Sequence, residues 1–185
     1  MTDYYEPNED SFTFYDVLKE ENITNKVILD LGSSTGYLSK SCSKNNYIIN
    51  SDINYKALLK NEFKDKINTD LLKSININKI DVIIFNIPYL PNYCKLDNVI
   101  DSSITHESND INLKYLIGGD KKGDRILRVF IDQIKDYKNI LYLLIIELNE
   151  PKKIIKKLES YGFKVELMKI RKIQGETIII LKCYK

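Results

Sequence analysis

Asn86-Ile-Pro-Tyr89 is the stretch of this 185-residue chain whose residue types best fit a chemical task. An amide or exocyclic amine nitrogen is a poor nucleophile because its lone pair is delocalised. Two acceptors that take its two N–H bonds hold the nitrogen and aim it at an electrophile. The Asn86 side-chain carbonyl is one such acceptor. The Ile87 backbone carbonyl can be the other, because Pro88 biases Ile87 to an extended conformation that turns this carbonyl toward a cleft. Tyr89 can then pack on the flat face of the substrate group. Taken alone, the same four residues also read as a turn at a strand end.

Asp30-Leu-Gly-Ser-Ser-Thr-Gly36 is the second such stretch. Gly32 and Gly36 let a ligand approach the backbone closely. The spacing is not the G-x-G-x-x-G of a pyrophosphate loop, and a carboxylate at the entrance would repel a pyrophosphate. Asp30 instead suits a cofactor that carries ammonium and sulfonium charges, as S-adenosylmethionine does. An ordinary strand-to-helix turn is the other reading. About twenty residues on, Asp52 ends a strand where an acid can accept from both ribose hydroxyls. Asp70 ends the next strand and can accept from an adenine amino group, with the Leu71 backbone at the ring edge. A lone Asp at a strand end is commonly a cap or turn residue. Three at successive strand ends weigh toward a shared ligand-binding rim.

The elements that position these residues alternate in type. The pattern predicts a helix over 9–20 after the cap Asn8, a strand over 26–31, a helix over 37–44, a strand over 47–53, a helix over 55–63 and a short strand over 66–70. A buried strand over 81–85 follows, apolar on both faces and placed to carry Asn86 at its end. Residues 90–119 read as a lid or binding loop. A helix over 120–135, a strand over 140–148 and a helix over 151–161 complete the alternation. Strands over 163–170 and 176–183 close the chain as a hairpin, which demands one antiparallel strand in an otherwise parallel sheet. The result is a doubly wound α/β sheet in one domain spanning 1–185, with ligands beyond the C-terminal strand ends.

Composition narrows the function classes. The chain has 28 basic and 26 acidic residues, a net charge of +2 with its single histidine neutral. The lysines interleave with acids over the whole length, which reads as a solvated surface and not a nucleic-acid patch. No apolar run reaches membrane-spanning length, and the acidic start is unlike a signal or transit peptide, so a cytosolic protein is expected, with the nucleus a second compartment. Cys42, Cys94 and Cys183 show no metal or disulfide spacing, and His106 is alone, so no metal site is expected. His106 with Glu107 reads as an exposed polar pair.

In their order, Tyr5-Glu-Pro-Asn-Glu-Asp-Ser-Phe12, Asp30-Leu-Gly-x-x-x-Gly36, Asp52-Ile-Asn54, Asn86-Ile-Pro-Tyr89, Gly118-Gly-Asp-Lys-Lys-Gly123 and Gly175-Glu-Thr177 resemble the HemK-like release-factor glutamine methyltransferases, in particular their eukaryotic and archaeal single-domain branch. The resemblance spans nearly the whole chain. It implies a class I methyltransferase fold with seven strands in the order 3-2-1-4-5-7-6. It implies S-adenosylmethionine as cofactor and N5-methylation of the glutamine in the Gly-Gly-Gln loop of the class-1 peptide-chain release factor. Ser11, Asp30, Gly32, Asp52, Asp70, Leu71 and Asn86 match the family's cofactor-binding positions; Asn86 also holds the substrate amide, and Glu6 and Asp10 help close the pocket. A small zinc-binding activator protein is the implied partner, docked on the edge strand 66–70 beside Leu58, Leu59 and Phe63. Two departures stand out: Ile87 replaces the first proline of the family's Asn-Pro-Pro-Tyr, and Ser34 replaces the middle glycine of the glycine loop. The rivals are a nucleic-acid amine methyltransferase acting on adenine N6 or guanine N2, which the small net charge disfavours, and a silent binding module.

Overall fold

The computed structural model describes residues 4–42, 44–91 and 117–185. In chain order the elements are α1 (Glu9–Glu20), β1 (Val27–Leu31), β2 (Tyr47–Asp52), α2 (Tyr55–Lys60), β3 (Lys66–Asn68), β4 (Val82–Asn86), α3 (Arg125–Gln133), β5 (Ile140–Ile146), α4 (Pro151–Ser160), β6 (Lys164–Ile173) and β7 (Glu176–Tyr184). The strands form one sheet in the order β3-β2-β1-β4-β5-β7-β6. The pairs from β3 to β5 are parallel, and β7 runs antiparallel to both β5 and β6. This is the expected sheet.

Strand side chains alternate between faces, so the apolar runs of the central strands supply two cores at once. Leu29, Ile83, Phe85, Leu143 and Leu181 pack on one face with Leu127, Phe130 and Ile131 of α3 and Ile154 and Leu158 of α4. Ile28, Val82, Ile84, Leu144 and Ile180 pack on the other with Phe14, Val17 and Leu18 of α1. Cys42 and Cys183 lie within these cores, and burial pushes both thiols up to about 12, which keeps them protonated and unreactive. Among the described residues no helix is long and apolar enough to cross a membrane.

Several elements are shorter than expected, each for a local reason. The segment after the glycine loop is a 3-10 helix, Leu38–Cys42, and not an α-helix over 37–44. Ser39 spends both its backbone N–H and its hydroxyl on Asp30, and Ser41 back-bonds to the Leu38 carbonyl at 2.6 Å. α2 stops at Lys60 because Asn61 leaves helical geometry to send its side chain inward, where Nδ2 donates to Asn50 Oδ1 at 2.9 Å. β3 ends at Asn68, two residues before Asp70. Strand β5 gives way to a 3-10 turn at Glu147–Asn149. The helix expected from 120 begins at Arg125, since Gly119, Asp120 and Gly123 all have positive φ and form a loop. Most of the lid expected over 90–119, with Cys94, His106 and Glu107, lies outside the described residues; its ends meet where Leu90 bridges Ile117.

That loop supports the segment after β4. The Gly118 N–H donates to the Leu90 carbonyl at 2.9 Å. A Cβ on Gly118 would lie 2.3 Å from the Pro88 carbonyl oxygen, and one on Gly123 would lie 1.9 Å from that of Tyr89. Only glycine admits this approach, and Gly123 also holds a φ of +63°. Gly123→Ala should therefore destabilise the fold by about 2–4 kcal/mol, read as a lowered urea midpoint. An unchanged midpoint would show that the turn does not rest on this contact.

Candidate active site

A cavity of about 360 Å³ opens at the C-terminal ends of β1, β2 and β4, within the size range of small-molecule sites. Its floor is the glycine loop 30–35. One wall is formed by Asp52, Ile53, Asn54, Thr69, Asp70 and Leu71, and the other by Asn86 to Leu90. The N-terminal residues Tyr5, Pro7, Asn8, Asp10 and Ser11 cover it. The topology explains the place: the loops that leave three adjacent parallel strands diverge there and leave a crevice.

On the first side, Asp30 is buried at the end of β1. Its Oδ2 accepts from Ser39 N and Oγ at 3.1 and 2.7 Å, while Oδ1 has no hydrogen-bond partner among the described residues. Burial, opposed by the Ser39 hydrogen bonds, raises its carboxyl from 3.8 to about 7. Asp52 accepts from Ser34 N at 2.8 Å through Oδ2 and from Asn54 N at 2.7 Å through Oδ1. Each oxygen keeps a lone pair for a further donor such as a hydroxyl. Burial raises the Asp52 carboxyl as well. Asp70 lines the cavity but is exposed, with Oδ2 paired to Lys73 Nζ at 2.6 Å. Leu71 beside it has a φ of +50°.

On the second side, the Asn86 side chain has a defined orientation. Its Nδ2 donates to Asp10 Oδ2 at 2.9 Å, and its Oδ1 is buried with no partner among the described residues. An amide has one acceptor oxygen, so the contact with Asp10 commits that oxygen to a donor from outside the chain. Asp10 is itself held by four further donors. Its Oδ1 accepts from the Tyr5 hydroxyl and from Ser11 N and Oγ, and its Oδ2 lies 3.3 Å from the Tyr89 hydroxyl. That hydroxyl is also 3.1 Å from Glu176 Oε1. Burial, with Asp10 and Glu176 nearby, raises Tyr89; burial first, then Asp10, raises Tyr5.

Of the residues expected at the site, Ser11, Asp30, Gly32, Asp52, Asp70, Leu71, Asn86, Ile87, Pro88 and Tyr89 all line this one cavity. Gly36 and Glu6 do not. Gly36 backs onto Asn61, whose Oδ1 would lie 2.7 Å from a Cβ there, and Glu6 is exposed. Ser34 takes the left-handed conformation of a loop glycine, with a φ of +46°, and its hydroxyl donates to the Tyr5 carbonyl at 2.9 Å. Sequence reasoning gave no role to the Tyr5 hydroxyl, to Glu176, or to the Ser39–Asn50–Asn61 network behind Asp30. Asn50 carried a usable signal, because it is a polar residue at a core position of a buried strand.

The Asp30 carboxyl gives the fold a pH signature. A carboxyl whose folded value lies above its unfolded one stabilises the protein at low pH, and that contribution is lost as pH rises through the folded value. For Asp30 the window runs from about 4 to about 7. Asp30→Asn should keep the Ser39 hydrogen bond and remove this slope, so its melting temperature should gain on the parent between those limits. Parallel profiles for the two proteins would place the titration elsewhere.

The geometry is matched by relatives, although no family model matches the chain. A Methanocaldococcus jannaschii protein named as a protein N5-glutamine methyltransferase is 31% identical, covering 98% of this chain and 91% of its own length. The Schizosaccharomyces pombe eRF1 methyltransferase catalytic subunit mtq2 is 27% identical, over 99% of this chain and 90% of that protein. Among solved structures, that of the E. cuniculi Mtq2–Trm112 complex, responsible for methylating the eRF1 termination factor, matches with a TM-score of 0.82 at 35% identity, covering 100% of this chain and 99% of that one. A strand-end asparagine whose oxygen has no partner among the described residues, a glycine loop with its carboxylate, and an identity of this extent along the full chain agree: the chain belongs to the protein N5-glutamine methyltransferase family.

Proposed function

We propose that this methyltransferase transfers the methyl group of S-adenosylmethionine to the N5 nitrogen of the Gly-Gly-Gln glutamine in the class-1 peptide-chain release factor. The observation that carries the reading is the buried Oδ1 of Asn86, which has no hydrogen-bond partner among the described residues. A buried carbonyl oxygen without a donor is unfavourable by about 1–3 kcal/mol. A substrate amide N–H relieves it. The Asn86 oxygen and the Ile87 backbone carbonyl accept the two N–H bonds of the glutamine, and Tyr89 flanks its plane. Alignment of this kind can contribute about 7–11 kcal/mol of barrier reduction when reacting atoms are held near attack distance. The names of the relatives, an N5-glutamine and an eRF1 methyltransferase, support the substrate.

The residues fit the cofactor on independent grounds. Asp30 offers a buried, unpartnered carboxylate oxygen to a cationic group. At Gly32 a Cβ would stand 3.2 Å from the Phe85 ring, and its φ is +66°, so close packing and backbone conformation both favour glycine on the cavity floor. Asp52 retains acceptor capacity for a diol, and Asp70 and Leu71 form the far wall. When bound, S-adenosylmethionine supplies an electrophilic methyl carbon; the chain supplies position, and needs no general base to hold the amide in register.

The same reading includes a small zinc-binding activator of the Trm112 kind, docked on the β3 edge. The family's solved complex supports a partner of this kind. Strand β3 is the end of the sheet, and beside it Ile53, Tyr55 and Leu59 are each more than half exposed. Leu58 turns inward and Phe63 is half-buried, so the apolar patch consists of these three side chains and not the expected trio. Unpaired backbone next to apolar surface is a template for another chain.

Two outcomes test these statements. Asn86→Ala should leave cofactor affinity within about tenfold and nearly abolish methylation of recombinant release factor, followed by mass spectrometry of the loop glutamine; near-parental turnover would remove Asn86 from the reaction. Leu59→Asp and Ile67→Asp should weaken co-elution with the activator in size-exclusion chromatography while sparing cofactor affinity. Full co-elution of both would move the interface away from β3. Thr69→Pro is unsuitable, because Thr69 N donates to the Asp52 carbonyl at 3.1 Å and its side chain lines the cavity.

A further inference from the structure

Glu176 opens β7, just after the hairpin residue Gly175, yet its Oε1 lies 3.1 Å from the hydroxyl of Tyr89 in the catalytic turn. On its other side that hydroxyl lies 3.3 Å from Asp10 Oδ2, the oxygen that also accepts from Asn86 Nδ2 at 2.9 Å. A phenol has one proton and an ionised carboxylate has none. One hydroxyl proton cannot satisfy two carboxylate oxygens; a second proton, carried by one of the acids, would complete the set. Asp10 is the poor candidate, because the Tyr5 hydroxyl, Ser11 N, Ser11 Oγ and Asn86 Nδ2 already point donors at both of its oxygens.

We infer that Glu176 is a positioning residue for methyl transfer: its neutral carboxyl donates to Tyr89, Tyr89 donates to Asp10, and Asp10 holds the Asn86 amide with its carbonyl oxygen free for the substrate. Burial, opposed by the Tyr89 hydrogen bond and aided by the adjacent Asp10 charge, raises the Glu176 carboxyl above its ordinary value. The hydrogen bonds converge on Asp10, from Glu176 through Tyr89 on one side and from Asn86 Nδ2 on the other, so a Tyr89 hydroxyl aimed at Asp10 braces the carboxylate that orients Asn86. Reversal of the Tyr89 proton toward an ionised Glu176 would leave Asp10 and Tyr89 facing each other through lone pairs. Tyr89 would then be pushed off its position beside the substrate plane. The inference rests on the reading of Asn86 Oδ1 as the substrate acceptor.

The test uses the chain in complex with its activator, recombinant release factor as methyl acceptor, and variants that keep side-chain volume. Glu176→Met removes the donor. It should lower kcat about tenfold, with the KM for release factor and the cofactor dissociation constant each within about threefold. Glu176→Gln can still donate an N–H to Tyr89 and should keep kcat within about threefold of the parent. Tyr89→Phe breaks the same chain one link later, so Glu176→Met should add little to it in the double variant. A Glu176→Met enzyme as fast as the parent overturns the inference. So does a Glu176→Gln enzyme as slow as Glu176→Met, which would mean that a negative charge is required, and so does additivity in the double variant. The underlying reading fails separately: if Asn86→Ala retains turnover, both fall, whereas an inactive Asn86→Ala beside a fully active Glu176→Met removes Glu176 alone. If Glu176→Met proves unfolded by its melting curve, the comparison of Glu176→Gln with Tyr89→Phe decides, with equal slowing of the two counting against the inference.

Discussion

Burying the Asp10 carboxylate would be strongly unfavourable without hydrogen bonds to the charge, and the way those bonds are supplied ties the site together. The donors come from four places in the chain: the N-terminal arm through Tyr5, the first turn of α1 through Ser11, the end of β4 through Asn86, and the turn after it through Tyr89. Removing any one leaves a buried acid with fewer partners, so the arm, the helix and the turn assemble together. The structural consequence is the orientation of one side chain. Asp10 takes the amide end of Asn86, and the carbonyl end keeps no partner among the described residues. A free asparagine at that position would flip between the two.

The other half of the cavity follows a similar logic with a different result. Asp30 has a full set of donors on Oδ2 only, because Ser39 supplies both a backbone and a side-chain bond to that oxygen. Asn50 Oδ1 lies 2.9 Å from the same Ser39 hydroxyl, so it shares that proton with Asp30, and this oxygen also accepts from Nδ2 of Asn61, which fills the space Gly36 leaves open. The network fixes Asp30 without neutralising it. Its carboxyl therefore remains raised, burial outweighing the two Ser39 bonds. Each half of the site thus carries an oxygen without a partner among the described residues, Asp30 Oδ1 and Asn86 Oδ1, on residues that line a common cavity.

The sheet was legible in the sequence because its signals are long-range and redundant: apolar runs of strand length, helices between them, and a terminal pair too close for a crossover. The acids and Asn86 were legible because strand ends are marked by the loss of the apolar run. Polar side chains competing for backbone groups were not. Ser39 and Ser41 turned an expected helix into a 3-10 segment, and Asn61 cut α2 short; Ser39 and Asn61 act through partners outside the local window, Ser41 by back-bonding to Leu38. Glu176 was hidden for a related reason. It is 87 residues from Tyr89 in the chain, and only strand pairing brings the hairpin to the turn.

Packing explains how the chain tolerates its two departures from the family pattern. Where the family has the first proline, Ile87 is 2% exposed and belongs to the core cluster that contains Phe85 and Leu127. A proline ring restricts φ by covalent geometry; here the neighbouring carbonyls of Pro88 and Tyr89 are instead enclosed by Gly118 and Gly123, and the side chain of Ile87 is anchored from below. The conformation is held by tertiary contact and not by the residue itself. Ser34 follows the same pattern. A left-handed serine is strained by about 1–2 kcal/mol, and two bonds offset it, one from its amide to Asp52 and one from its hydroxyl to the Tyr5 carbonyl. The second of these bonds is unavailable to glycine. It joins the floor of the cavity to the arm that covers it, so the substitution that costs the loop its conformational freedom also fastens the site's cover.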